Sequence, residues 1–351
     1  MEKQDIRKTK PEALKAWLES VGEKGFRAKQ IEDWLWQKWV GSFSEMANLS
    51  LALRERLDAH FSLPKMQVHT SQKSSDGTIK VAFRLYDGNV VEGVLIPAGD
   101  RMTACISSQV GCSLTCKFCA TGYMDRKRNL DPAEIYDQAK WIDQIARKEY
   151  ELPLTNIVMM GMGEPLLNYA SVLEGIARIC SPEGMAWSPK RITLSTAGIA
   201  KMIKKLGDDQ VRFNLALSLH AADDEKRNQI MPINESNTLA ALREALRYFY
   251  QKTKNQITFE YIAFHGFNEK EEDARKLARF AKSIGAPIKI NIIEYNPIAE
   301  ASFLNAEADR LEVFKNLLEK ENLIVNIRRS RGKDIDAACG QLANKHKEEA
   351  A

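Results

Sequence analysis

Residues 111–122 read Gly-Cys-Ser-Leu-Thr-Cys-Lys-Phe-Cys-Ala-Thr-Gly and place three cysteines, Cys112, Cys116 and Cys119, within eight residues. Packing does not explain this spacing, since a free cysteine is usually an isolated small apolar residue. Zinc sites usually have four protein ligands, and no fourth Cys or His lies at a matching spacing. We therefore interpret the segment as the ligand loop of a 4Fe-4S cluster with one iron open to a substrate. A zinc knuckle or a reduced structural thiol cluster is the alternative.

Composition indicates an ordinary globular protein. The 351 residues suffice for a barrel-sized domain with an appendage, and 44% of them are hydrophobic. The net charge of +4 is only weak evidence for a polyanionic partner. The N-terminus is charged, and no run approaches 18 apolar residues. We expect a cytoplasmic protein without a membrane span, in a compartment that keeps thiols reduced.

The apolar pattern divides the chain into an N-terminal helical accessory domain over 1–65, a β-meander over 66–100, a barrel over 101–345 and a polar tail over 346–351. Helical periods cover 14–21 and 31–39, and a third helix begins at Ser50. This part holds four of the six tryptophans, interleaved with basic residues. They form either an RNA-binding surface or a small core with a solvated rim.

The β-meander contains a conspicuous carboxylate. Alternating apolar residues predict antiparallel strands over 79–85 and 90–96. Glu92 shares a strand face with the apolar residues Val90, Val94 and Ile96. It is either an edge-strand glutamate in water or a carboxylate beside a cavity.

Beyond residue 100, strands and helices alternate six times, which predicts a parallel sheet with helical connections. The predicted strands are 103–107, 156–160, 191–195, 212–219, 258–263 and 289–293, with a further strand at 323–327. Six units are too few for a closed eight-fold barrel. We therefore expect a partial (β/α)6 TIM-like barrel with its reactive groups at the carboxyl ends of the strands.

Polar residues follow four of these strands. The segment 161–165, Gly-Met-Gly-Glu-Pro, follows the second strand and brings an acidic side chain that can accept from an ammonium group. The others are Ser195 after the third strand, Ser218, Leu219 and His220 at the end of the fourth, and Asn296 after the sixth. A histidine alone is more often structural, but the agreement of four strand ends favours a ligand site.

Three cysteines lie outside the cluster loop. Cys180 lies on an apolar helical stripe and is predicted to belong to the core. Cys105 ends the first barrel strand, and Cys339 has small neighbours that leave its sulfur accessible. Two further thiols suggest sulfur chemistry on the substrate.

Taken together, residues 111–122, 161–165, 194–198, 218–221, 328–332 and 339–342 resemble the RlmN-type dual-specificity RNA methyltransferases of the radical S-adenosylmethionine (SAM) superfamily. The resemblance covers nearly the whole chain from residue 20 onward. It implies a radical SAM barrel that methylates carbon 2 of adenosine in the peptidyl transferase centre of 23S ribosomal RNA and in tRNA, 3′ of the anticodon. Carbon-8 methylation of the related Cfr resistance type is the alternative within the superfamily. A zinc-stabilised RNA-binding module without catalysis is the alternative outside it.

The resemblance also implies roles for individual residues. Cys112, Cys116 and Cys119 would hold the 4Fe-4S cluster. The SAM contacts would be Gly163, Glu164, Ser195, Ser218, Leu219, His220 and Asn296. Two SAM molecules would be used per turnover: the first methylates Cys339, and the second gives an adenosyl radical that takes a hydrogen atom from that methyl group. The carbon radical adds to the base, Cys105 then forms a transient disulfide with Cys339 to release the product, and Glu92 handles the base proton.

The expected partners follow from the same resemblance. They are ribosomal RNA, tRNA and a reductant such as flavodoxin or ferredoxin, and the enzyme is expected to be a monomer. Two basic runs, at 126–128 and 328–333, flank the cluster loop and Cys339. We expect them to contact RNA phosphates, although charge runs are more often solvated faces.

Overall fold

The computed structural model of the chain describes residues 3–344. The predicted polar tail, 346–351, lies outside these residues. The N-terminal part contains β1 (Gln4–Asp5), α1 (Pro11–Ser20), α2 (Arg27–Glu32), α3 (Leu51–His60) and β2 (Phe61–Ser62). The helix predicted over 31–39 is not regular, because α2 continues as a π-helical turn, Asp33–Gln37. Ser50 is the N-cap of α3, as predicted, and its side chain accepts from the N–H of Leu53.

The next elements form the meander and the cluster loop. They are β3 (Gln67–Lys73), β4 (Ile79–Arg84), β5 (Val90–Ala98), β6 (Arg101–Cys105), β7 (Gln109–Val110) and β8 (Arg128–Asn129). Neighbouring strands from β3 to β6 pair antiparallel. Strands β7 and β8 form a separate two-stranded ribbon, and the three clustered cysteines lie in the loop between them.

The remaining elements alternate. They are α4 (Pro132–Tyr150), β9 (Asn156–Met159), α5 (Tyr169–Cys180), β10 (Ile192–Thr196), α6 (Ala200–Asp208), β11 (Asn214–Ser218), α7 (Asp224–Ile230), α8 (Leu239–Thr253), β12 (Ile257–Ala263), α9 (Glu271–Ser283), β13 (Ile288–Glu294), α10 (Ala308–Lys320) and β14 (Ile324–Arg328). The short helix α7 was not among the predicted elements.

A single ten-stranded sheet runs in the order β14-β13-β12-β11-β10-β9-β6-β5-β4-β3. Strand β6 and strands β9 to β14 pair parallel, and the antiparallel meander extends the sheet beyond β6. Strand β14 lies at one edge and β3 at the other, so the sheet of the described residues is open. The predicted partial barrel is confirmed. Every residue of β12 is buried, as expected for a strand covered on both faces.

The N-terminal helices pack on α4 through buried polar contacts. The guanidinium of Arg7 lies 2.9 Å from the carboxylate of Asp137, which also accepts from the indole N–H of Trp39 at 2.7 Å. The hydroxyl of Tyr136 donates to the carbonyl of Trp36 at 2.6 Å. Trp36 and Trp39 are buried, whereas Trp17 and Trp34 are partly buried against the same core. These contacts fix the N-terminal part to the barrel.

Replacing Asp137 with alanine is expected to lower the free energy of unfolding by about 3–5 kcal/mol, because Arg7 would remain buried without its counter-charge. Urea unfolding of the purified protein measures this change. Arg275→Ala removes one partner of an exposed ion pair and is the matched control, with an expected change within about 0.5 kcal/mol. Equal losses in the two variants would contradict the importance of this buried contact.

No helix among residues 3–344 is both long enough and apolar enough to cross a membrane.

Candidate active site

The cluster loop folds back on itself through short-range hydrogen bonds. The N–H of Cys119 donates to the carbonyl of Cys116 at 3.2 Å, and the N–H of Gly122 donates to the carbonyl of Cys119 at 2.8 Å. The N–H of Lys117 donates to the carbonyl of Ile230 at the end of α7. These bonds place the three cysteines at the carboxyl ends of the barrel strands.

A cavity of about 140 Å³ lies at this end of the barrel and is lined by Cys112, Cys116 and Cys119. Five of the predicted cofactor contacts line it too, namely Gly163, Glu164, Ser195, Ser218 and His220. Leu219 and Asn296 do not line it. Leu219 is buried elsewhere, and the amide nitrogen of Asn296 donates to the carbonyl of Cys339 at 3.1 Å. The structure therefore brings together most of the predicted site.

The clustered thiols are desolvated. Burial raises the pKa of Cys112 to about 11 and also raises the pKa of Cys116 and Cys119. Thiolates here need a cationic partner such as iron. Within residues 3–344, no three His, Cys, Asp or Glu side chains are arranged to hold a single metal ion. Each thiolate of a 4Fe-4S cluster binds a different iron, so three cysteines on one loop fit such a cluster with one iron left without a protein ligand.

Glu164 joins two strand ends beside the cavity. Its Oε1 accepts from the N–H of Leu166 at 3.1 Å and its Oε2 accepts from the N–H of Ala197 at 2.7 Å. Burial raises the pKa of the Glu164 carboxyl, and these hydrogen bonds oppose the rise. Gly163 has φ +94°, and a Cβ there would lie 2.5 Å from the side chain of Gln109. Glycine therefore allows the loop to pack closely enough to place Glu164.

His220 presents a neutral ring to the cavity. It is 3% exposed, and its Nδ1 accepts from the N–H of Ile262 at 3.0 Å. Burial and, to a smaller extent, the charge of Arg227 together lower the pKa of His220 to about 3. The neutral ring must then carry its proton on Nε2. The ring of Phe118 lies edge-on at 4.6 Å between centroids. The histidine is thus both held structurally and able to donate to a ligand.

Arg227 is a site residue that sequence reasoning missed. It lies on α7 with 0% exposure and donates to the carbonyls of Ala197, Ser218 and Leu219 at 2.6, 3.2 and 3.0 Å. Burial lowers the pKa of Arg227 to about 10, so the group stays charged at neutral pH. Its hydrogen bonds hold the loops after β10 and β11 in a fixed relative position. The polar sequence of α7 offers no apolar period that could have revealed it.

A second cavity of about 110 Å³ is lined by Cys105, Arg328 and Cys339. Cys339 lines both cavities and therefore lies between the cluster loop and Cys105. Burial raises the pKa of the Cys105 thiol to about 12, and the positive charge of Arg328 opposes this rise. Cys339, in contrast, is exposed. Both cysteines are free in this structure.

The segment that carries Cys339 is hydrogen-bonded to the cluster loop. The N–H of Ala120 donates to the carbonyl of Gly340 at 2.7 Å, and the hydroxyl of Thr121 donates to the carbonyl of Leu342 at 2.6 Å. The position of Cys339 therefore depends on the fold of the cluster loop.

Glu92 lines neither cavity. It is fully buried, and its Oε2 accepts from the N–H groups of Ala343 and Asn344 at 2.9 and 3.1 Å. Its other oxygen, Oε1, lies 3.4 Å from Nζ of Lys80. The structure therefore places Glu92 behind the C-terminal segment.

In each of the two basic runs, some cations are held in ion pairs with carboxylates. Arg128 is paired with Asp87 and Glu134. Lys333 is paired with Glu294. Arg328 is exposed and lies 3.7 Å from the carboxylate of Glu260. Arg126, Lys127, Arg329 and Arg331 are exposed too.

Comparison with known proteins gives matches over both parts of the chain. Residues 4–63 match the ribosomal RNA large subunit methyltransferase N-terminal domain, and residues 106–278 match the radical SAM superfamily. The chain is 61% identical to the probable dual-specificity RNA methyltransferase RlmN of Cytophaga hutchinsonii, over 98% of this chain and 94% of that protein. It is 52% identical to the protein of the same description from Christiangramia forsetii, over 98% of this chain and 97% of that protein.

A solved structure matches the whole fold. It is a radical SAM methyltransferase from Sphaerobacter thermophilus, with a TM-score of 0.90 and 35% sequence identity. The match covers 97% of this chain and 99% of that chain.

Proposed function

This chain belongs to the RlmN family of radical SAM RNA methyltransferases, and we propose that it methylates carbon 2 of adenosine in 23S ribosomal RNA and in tRNA beside the anticodon. The observation that carries the proposal is the position of Cys339. Its side chain lines the cavity of the cluster loop and also the cavity of Cys105. A sulfur in that place can receive a group from one cavity and present it in the other.

Cys112, Cys116 and Cys119 would hold a 4Fe-4S cluster, and Gly163, Glu164, Ser195, Ser218 and His220 would contact SAM. When bound, these groups supply the methyl group and the radical chemistry that a carbon without a nucleophilic lone pair requires. His220 would donate from Nε2, and Glu164 would accept from an ammonium group. Arg227 keeps the loops that bear these groups in place.

Three further residues would act on the base. The sulfur of Cys339 would carry the methyl-derived carbon to adenine. The thiolate of Cys105 would then attack the sulfur of Cys339, forming a transient disulfide that releases the product. Glu92 would accept the proton from the modified carbon, and this requires Ala343 and Asn344 to move away from its carboxylate. Two molecules of SAM would be consumed per turnover.

The substrate and partner proposals follow. Exposed Arg126, Lys127, Arg329 and Arg331 would contact phosphates and orient the RNA. The target base must leave its stack to reach Cys339, so we expect a looped or locally remodelled RNA. The enzyme would act as a cytoplasmic monomer with flavodoxin or ferredoxin as the reductant.

Anaerobic reconstitution tests the proposed function. Protein loaded with iron and sulfide is expected to convert unmodified ribosomal RNA fragments and tRNA to 2-methyladenosine in the presence of SAM and a reductant. Mass spectrometry of the digested nucleosides measures the product. The variant with Cys112, Cys116 and Cys119 replaced by alanine is expected to bind no cluster and to release no 5′-deoxyadenosine. Finding 8-methyladenosine instead, or cofactor cleavage by the triple variant, would contradict the proposal.

A further inference from the structure

Lys80 is a buried lysine that the proposed reaction leaves without a role. Its side chain, on β4, is 4% exposed, and the carboxylate of Glu92, on β5, is 0% exposed. The strand register places Lys80 opposite Val94 and Ala82 opposite Glu92. Lys80 and Glu92 are therefore diagonal neighbours on one sheet face, 3.4 Å apart between Nζ and Oε1. Burying an ammonium or a carboxylate carries a large desolvation cost, which the attraction between the two charges offsets only when they are paired.

Within residues 3–344, the other groups that contact Glu92 are uncharged. The C-terminal segment offers it the backbone N–H groups of Ala343 and Asn344. Its own N–H points at the sulfur of Met162 at 3.4 Å, and its carbonyl accepts from the hydroxyl of Ser107 at 2.6 Å. The cation at this carboxylate is thus supplied by β4.

We infer that Lys80 is a positioning residue for the base-proton step, because its ammonium pairs with the buried carboxylate of Glu92 and holds it in one place. The inference rests on the proposed function. Without the ammonium, the buried carboxylate would lose its counter-charge, which is costly, and would no longer be held in that position. In the step itself, the proton passes from the adenine carbon to an oxygen of Glu92, and the electron pair of the C–H bond stays with the RNA adduct. Lys80 keeps its own proton throughout.

The test follows one turnover under anaerobic conditions with protein that already carries the methyl group on Cys339. Three products are measured from pH 6 to 9: 5′-deoxyadenosine, the covalent RNA–protein adduct on a denaturing gel, and 2-methyladenosine. Lys80→Met removes the charge but keeps most of the volume. Lys80→Arg keeps the charge. Lys73→Met, on neighbouring β3, removes a half-exposed lysine paired with Glu149 and is the matched control.

Lys80→Met is expected to form 5′-deoxyadenosine and the adduct as the wild type does, but to resolve the adduct about 10²-fold more slowly at neutral pH. Lys80→Arg should restore most of the rate, and Lys73→Met should leave it unchanged.

A merely structural lysine would give a different result. Loss of 5′-deoxyadenosine formation in Lys80→Met, or adduct resolution at the wild-type rate at every pH, would overturn the inference. If Lys80→Met does not fold, Lys80→Gln, which removes the charge but keeps a polar side chain, replaces it in the same assay. Resolution of the adduct at the wild-type rate by that variant would also overturn the inference. If Cys105→Ala gives no adduct in this assay, the result contradicts the proposed function itself, independently of the results for the Lys80 variants.

Discussion

Cys339→Ala is expected to lower methyl transfer to RNA by on the order of 10⁴-fold or more, since the sulfur proposed to carry the methyl group would be absent. Cys339 lines the cavity of the cluster loop and the cavity of Cys105, and no other cysteine among residues 3–344 lines both. The three cluster cysteines are untouched, and iron and sulfide content should equal that of the wild type. Nucleoside mass spectrometry measures the loss of product.

Intact-protein mass spectrometry adds a second measurement to this prediction. Wild-type protein incubated with SAM should gain one methyl group on Cys339, and the variant should gain none. Cys180→Ala is the matched control, because it removes a partly buried thiol of α5 that lines neither cavity. Full turnover by Cys339→Ala would refute the carrier role.

Cys105→Ala is expected to stop the reaction after carbon has been added to the base. The thiol that would attack Cys339 is missing, so RNA should remain covalently attached to the protein. Cys105 and Cys339 line one cavity, which supports a direct reaction between their sulfur atoms. Denaturing gel electrophoresis with labelled RNA should show most of the modified RNA migrating with protein, and nuclease treatment should reduce the size of that species.

The control for this prediction is the double variant Cys105→Ala/Cys339→Ala, which has no carrier and should form no adduct. Recovery of free, unmodified RNA from Cys105→Ala, with no attached species, would count against the assigned role of Cys105. Free methylated RNA would show that release does not need this thiol.

Local sequence signals predicted the barrel and most of the candidate site. The spacing of Cys112, Cys116 and Cys119 indicated one ligand loop, and the alternation of strands and helices placed the residues that follow each strand at one end of the sheet. The structure brings Glu164, Ser195, Ser218 and His220 to the same cavity. These residues could be predicted because parallel strands align their carboxyl ends.

Contacts between distant parts of the chain could not be predicted in this way. Arg227 acts through the carbonyls of Ala197, Ser218 and Leu219, and nothing in its own short polar helix indicates them. The alternation of β5 singled out Glu92, but its hydrogen bonds to residues more than 250 positions away depend on the folded C-terminal segment. The ion pair of Lys80 with Glu92 likewise depends on the register in which β4 pairs with β5.

The buried contact of Arg7 with Asp137 and Trp39 has a consequence for substrate choice. Because the N-terminal helices are fixed to α4, the span between them and the mouth of the barrel is constant. An RNA that touches both surfaces must supply the required bend itself. Selection among RNAs would then depend mainly on the free energy needed to bend each RNA, and less on a closing motion of the enzyme. Stiff duplexes would therefore bind poorly.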